Sequence, residues 1–270
     1  MPSPLGLSVR TKDLHASPIR EILSVLEKPG MISFAGGLPA ASTLPRLDLI
    51  PPADILQYGP TEGDMALRQA IAAELQQLGL DCQSEQVLIL SGSQQGIDLV
   101  AKLFVDAGTP VAVESPTYLA ALQVFRLFGA RFLPFNMQNE TNLSWEHDRP
   151  ALAYAIPTFQ NPTGRCYTMA QRQQLAAACE QYQVPLFEDD PYRDLAYEQA
   201  ERTPVCVLLK SALWIYQGSF SKTLAPGLRL GFMAASPQLI PYLTRLKQAA
   251  DLHSNRLSQW LVLQHLQHPD

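Results

Sequence analysis

Seven short apolar runs, rich in β-branched and aromatic residues, recur along the chain and are separated by longer segments. They are VLILSG (87–92), PVAVES (110–115), RFLPF (131–135), LAYAIPT (152–158), VPLFEDD (184–190), LWIYQGS (213–219) and LGFMAAS (230–236). Their length and composition predict buried strands. Between them, SQQGIDLVAKLFVDAG (93–108), TYLAALQVFRLFGA (117–130) and MAQRQQLAAACEQYQ (169–183) repeat apolar residues at helical spacing, which predicts helices. Gly108 and Gly129 stand where the first two would stop. Strands alternating with helices require crossover connections, and those lead to a mostly parallel sheet. The expected fold is therefore α/β, a mostly parallel seven-stranded sheet with helices on both faces.

A chain of 270 residues that is 47% hydrophobic can bury such a core. Its formal net charge of −5, without any dense Lys/Arg block, argues against nucleic acid or an anionic membrane as a partner. No apolar stretch nears the roughly 18–20 residues needed to span a bilayer. The N-terminal MPSPLGLSVRTKDLHASP is interrupted by Pro, Lys and Asp, unlike a signal peptide. Cys82, Cys166, Cys179 and Cys206 are scattered without CxxC pairs, and His15, His147, His253, His265 and His268 lack ligand spacing. No metal site is expected, and the thiols are expected to be reduced in a cytoplasmic protein.

In sheets of this kind ligands bind beyond the carboxyl ends of the strands. There the sequence places Ser93 and Gln94, Tyr118, Asn161, Asp189 and Tyr192, then Ser219, Ser221 and Lys222. Any one of them is also what a turn needs. Their arrival at one rim from five crossovers is less easily explained by turns. Lys222, in GSFSKTLAPGLRLG (218–231), is either a solvated surface lysine or an amine whose pKa burial lowers, freeing it to attack a carbonyl. Asp189 is either a turn or cap aspartate before Pro191, or a buried carboxylate paired with a cation such as a protonated ring nitrogen. Its neighbours Glu188 and Asp190 should face the other side, because side chains alternate along a strand. Ser93 and Gln94 open a helix whose N–H groups and dipole suit a phosphate, and Ser219, Ser221 and Arg229 would complete the cup. An amine nucleophile, a carboxylate for a pyridinium and a phosphate cradle together describe pyridoxal phosphate (PLP).

The segments SPIR (17–20), MISFAGGLP (31–39), YGPTEG (58–63), GSQQGI (92–97), PTY (116–118), QNPTG (160–164), EDDPY (188–192) and SFSKTLAPGLRLG (219–231) resemble the class I/II aminotransferases of PLP fold type I. More narrowly, they are similar to the branch holding kynurenine and α-aminoadipate aminotransferases and the aminotransferase-like domains of MocR-type regulators. The resemblance implies that Lys222 carries the cofactor and moves the proton, that Asp189 keeps the pyridine nitrogen protonated, and that Asn161 and Tyr192 bond the ring oxygen. It implies that Tyr118 stacks on the ring, and that Ser93, Gln94, Ser219, Ser221 and Arg229 hold the phosphate. Tyr58 would reach the phosphate of a neighbouring subunit, making a homodimer with shared sites. Gly37, Asn161 and Arg20 would border the substrate, Arg20 as a partner for a side-chain carboxylate.

The same resemblance implies an N-terminal arm (1–45), a PLP-binding large domain (46–245) and the start of a C-terminal small domain (246–270). The remainder of that small domain, with its arginine for the α-carboxylate, is expected to be absent. The activity implied is amino-group transfer between an α-amino acid, of aminoadipate, aromatic or branched-chain type, and a 2-oxo acid. A PLP-dependent lyase or decarboxylase, or a non-catalytic PLP-binding relative, are the alternatives.

Overall fold

The computed structural model describes residues 6, 8–11, 30, 32, 37–45, 50–138 and 143–268. Strands β1 (Val87–Leu90), β2 (Pro110–Glu114), β3 (Arg131–Phe135), β4 (Leu152–Ala155), β5 (Leu186–Asp189), β6 (Trp214–Ser219) and β7 (Gly231–Ala235) form one sheet in the order β1-β7-β6-β5-β4-β2-β3. Each expected run contains one of them. LAYAIPT is cut short after Ala155 because Ile156 donates its N–H to the Glu114 carboxylate rather than to a neighbouring strand, and Pro157 has no N–H to give.

The β2–β3, β2–β4, β4–β5 and β5–β6 pairs are parallel, while β7 runs antiparallel to both β6 and β1. Residues 220–230 alone separate β6 from β7, fewer than the dozen or so that a parallel crossover requires.

Helices α1 (Met65–Gln77), α2 (Ser93–Phe104), α3 (Leu119–Leu127), α4 (Met169–Tyr182), α5 (Ile240–Asp251) and α6 (Arg256–Gln267) cover the sheet. On one face Ile97 and Val100 of α2, Phe125 of α3 and Leu243 of α5 pack with Leu88, Val111, Val113, Phe187 and Ile215. On the other, Leu67 and Ile71 of α1, Leu175 of α4 and Val262 of α6 pack with Ile89, Ala112, Leu186 and Tyr216. Adjacent strand residues therefore join opposite cores, as the pleat demands. Burying an aromatic such as Phe125 or Phe187 contributes roughly 1.5–3 kcal/mol each.

Helix ends follow local chemistry. The helical pattern running to Gly108 stops earlier, at Phe104, because Val105 turns to extended backbone and leaves Gly108 in the following turn. Helix α4 starts on a capping box, in which Thr168 Oγ1 accepts from Gln171 N–H and the Gln171 side chain accepts from Thr168 N–H. Lys247 of α5 is fully buried and donates to Gln95 Oε1, Ser254 Oγ and Asp251 Oδ1, joining α2 to the α5–α6 turn. On α6, Arg256 clips down the segment before α1. Its Nε lies 3.1 Å from Asp64 Oδ1, and Nη1 donates to the carbonyls of Asp54 and Gln57. No helix among the described residues is long and apolar enough to cross a membrane.

Candidate active site

A cleft of about 1420 Å³ opens beyond the carboxyl ends of the central strands. It is larger than the roughly 300–1,000 Å³ of ordinary small-molecule pockets. Its lining gathers Gly37, Ser93, Gln94, Tyr118, Asn161, Asp189, Tyr192, Ser219, Ser221, Lys222 and Arg229. Of the residues expected at the site, Arg20 lies outside the described residues. Tyr58 does not line the cleft: it is 76% exposed, its ring set edge-on to His253 at 5.8 Å.

The floor is Asp189, the last residue of β5 and only 4% exposed. Tyr154 Oη donates to its Oδ2 at 2.7 Å, and Gln217 Nε2 donates to its Oδ1 at 3.0 Å. Burial pushes the carboxyl up to about 6, and the two hydrogen bonds pull against that rise. Both donors are uncharged, and among the described residues no lysine or arginine forms an ion pair with Asp189. Glu188 and Asp190 face the opposite core. Glu188 Oε2 accepts from Cys206 N–H at 2.9 Å, while Asp190 Oδ2 accepts from Tyr216 Oη and Arg193 Nη1, each at 2.8 Å.

Lys222 sits in the turn that leaves β6. Ser219 Oγ accepts from Ser221 N–H at 3.2 Å and tightens this turn. The half-buried Lys222 amine donates to the Gly37 carbonyl at 3.1 Å. Burial first, and the Arg229 charge second, lower its pKa. A lowered pKa leaves more of the amine neutral near pH 7, the form that attacks carbonyls or accepts a proton.

Across the cleft, α2 begins at Ser93 behind Gly92, which has φ 83°. Arg229 takes left-handed backbone, φ 48° and ψ 49°, uncommon for a non-glycine residue. That conformation lays its guanidinium against Gly92, where an added Cβ would fall 2.4 Å from Nη2. Glycine at 92 is therefore required twice over, by its φ and by the arginine. The positive end of a helix dipole, free N–H groups and a guanidinium so converge at one end of the cleft, an arrangement suited to a phosphate dianion.

Tyr118 and the Asn161–Tyr192 pair form the walls. Asn161 Nδ2 donates to Tyr192 Oη at 3.4 Å, and Tyr118 Oη approaches Gln94 Oε1 at 3.5 Å. Burial, then the nearby Asp189 carboxylate, raise the pKa of both tyrosines. Both phenols thus keep their protons more firmly than an ordinary tyrosine.

Residues 50–270 match the family model described as aminotransferase class I and II. The chain belongs to this aminotransferase family. Among its relatives, the 2-aminoadipate transaminase of Thermus thermophilus is 40% identical over 267 residues, covering 92% of this chain and 66% of that protein. Aromatic-amino-acid aminotransferase 1 of Thermococcus litoralis is 35% identical over 282 residues, covering 96% of this chain and 67% of that protein. Among solved structures, the α-aminoadipate aminotransferase LysN of Thermus thermophilus, in complex with N-(5'-phosphopyridoxyl)-L-leucine, superposes with a TM-score of 0.84 at 36% identity, over 98% of this chain and 70% of that one. This aminotransferase chain thus spans about two thirds of the length of the curated relatives it matches.

Three features of this cleft were not evident in the sequence: Tyr154, Gln217 and the Gly37 carbonyl. The first two carried a signal. A tyrosine in LAYAIPT and a glutamine in LWIYQGS bring polar atoms into strands covered on both faces, where each must find a partner. The carbonyl of Gly37 carried none, since any residue offers one.

Proposed function

We propose that this protein binds pyridoxal phosphate and transfers an amino group between an α-amino acid and a 2-oxo acid. The observation that carries the reading is that Lys222, Asp189 and Arg229 line one cleft. The donor set fits the cofactor: a buried carboxylate facing the cleft with only neutral donors on it, an amine of lowered pKa, and an arginine beside a helix N-terminus. When bound, the cofactor supplies an electron sink for charge that develops at the substrate Cα.

The remaining chemistry belongs to the chain's own residues. Lys222 would take the proton from the substrate Cα and hold it for delivery to the cofactor side, a role suited to an amine of lowered pKa. Asp189 would hold a positive charge on the ring nitrogen. Asn161 and Tyr192 would bond the ring oxygen, and Tyr118 would lie against the ring. Ser93, Gln94, Ser219, Ser221 and Arg229 would hold the phosphate. Gly37 and Asn161 would border the substrate, and Arg20 is the proposed partner for a side-chain carboxylate.

The named activities of the relatives support an aminoadipate, aromatic or similar α-amino acid as the donor. The exposure of Tyr58 supports a homodimer in which this residue reaches the partner's phosphate site. We also propose the division into an arm (1–45), a cofactor-binding domain (46–245) and the beginning of a smaller domain (246–270), and a cytoplasmic setting in keeping with four free cysteines.

Borohydride reduction of the cofactor-loaded protein, followed by peptide mapping, is expected to label the peptide containing Lys222. Label on another lysine, or continued turnover by Lys222→Ala, would remove the assignment. Mixing the loaded protein with a panel of amino acids is expected to convert the cofactor to its amine form. Loss of the substrate carboxyl group instead would identify a decarboxylase.

A further inference from the structure

Two adjacent aspartates at the end of β5 are treated differently by the fold. Asp190 receives a guanidinium, with Arg193 Nη1 at 2.8 Å. Asp189 receives only a phenol and an amide, one on each oxygen. A cation at Asp189 would cancel its charge, leaving nothing for a positive group in the cleft. Neutral donors stabilise the carboxylate and keep its net charge available.

The surroundings are shaped to hold these donors. Tyr154 is fully buried and wedged between Phe125 and Phe187, with ring centroids at 5.7 and 5.4 Å. Gln217 is also fully buried, and its Oε1 has no hydrogen-bond partner. An orphaned acceptor is unfavourable, so an apolar residue would sit there more easily unless the amide nitrogen were needed. Gly96 of α2 makes the room: a Cβ there would lie 1.8 Å from that Oε1, and glycine inside a helix is itself unfavourable. Two local penalties are thus accepted in order to aim one N–H at Asp189.

We infer that Tyr154 and Gln217 are positioning residues that hold Asp189 ionised and oriented toward the ring nitrogen of a pyridine cofactor. The inference rests on the cofactor reading above, and its test separates the two. Equilibrium binding to the full chain, followed by quenching of tryptophan fluorescence, is measured for pyridoxal phosphate and for its 1-deaza analogue, in which C–H replaces the ring nitrogen. The wild-type chain is expected to prefer pyridoxal phosphate, and Asp189→Ala to lose that preference. Tyr154→Phe and Gln217→Met are each expected to shrink the preference roughly tenfold, while affinity for the deaza analogue changes by less than about twofold.

If Asp189→Ala keeps the wild-type preference, the reading of Asp189 itself fails and takes the inference with it. If Asp189→Ala loses the preference but Tyr154→Phe and Gln217→Met keep it, the positioning role alone is wrong. Equal losses for both ligands mean that the pair only supports the fold, which also overturns the inference. Tyr154→Phe removes one oxygen and almost no volume, so it decides the matter by itself should the Gln217 variant not fold.

Discussion

Gly96 illustrates how much can depend on an absent side chain. Helix propensity alone favours Gly96→Ala by roughly 1 kcal/mol. Here the new methyl would meet Gln217 Oε1 at 1.8 Å and Leu90 Cδ1 at 2.8 Å. Overpacking of that kind costs roughly 1–3 kcal/mol, so the substitution is expected to lower the urea midpoint rather than raise it. Cofactor affinity should fall with it, because the amide that moves is the one bonded to Asp189. Lys222 allows a second check at this scale. Burial and Arg229 lower its pKa, so more of its amine is neutral at any pH below its ordinary value. Competitive trace labelling of the cofactor-free chain with acetic anhydride at pH 8 should modify Lys222 faster than the solvent-facing Lys102 and Lys210. Equal rates would show that its amine is not activated.

At the scale of elements, β5 brings a buried charge into the sheet. Burial pushes Glu188 up to about 7, with Asp190 adding to the rise. The unfolded chain releases this proton near its ordinary value, about 4.5, while the folded chain keeps it to about 7. Between those values the folded state binds more protons, so raising the pH through this window removes stability. Glu188→Gln cannot titrate, and its stability relative to wild type should improve between pH 5 and pH 8, by up to roughly 3 kcal/mol. Urea unfolding at the two pH values measures this, and a difference independent of pH would refute it. Helix α4 offers a separate test. Thr168→Ala removes the cap of its first turn and should cost about 1 kcal/mol.

At the scale of the whole molecule, Tyr58 is the informative residue, because it is exposed and does not line its own cleft, on a segment that Arg256 clips to α6. If the phosphate site is shared between subunits, Tyr58→Ala and Lys222→Ala damage different halves of it. A hybrid dimer of the two variants would then contain one intact site and one doubly damaged site. Random mixing makes half of the dimers hybrids, so about a quarter of all sites should recover wild-type cofactor affinity and turnover. No recovery after subunits have exchanged would place Tyr58 outside the partner's site.

The strands, the crossover helices α2 to α4 and the rim residues were legible in the sequence, because each is a local matter. A run such as VLIL must be buried wherever it goes, and the polar residues of SFSK or EDDPY must emerge where a strand ends. Folding decided what depends on neighbours. Asp189 lies 35 positions from Tyr154 and 28 from Gln217, and they meet only because β4, β5 and β6 are adjacent in the sheet. The pairing of Lys247 with Gln95 spans 152 positions and follows from α5 packing on α2. Residue type and spacing therefore determined which groups reach the cleft, since the alternation of strand and turn is written locally. Strand order and helix packing decided which charges are compensated and which are left for a ligand, since hydrogen bonds and desolvation depend on distance in space and not along the chain.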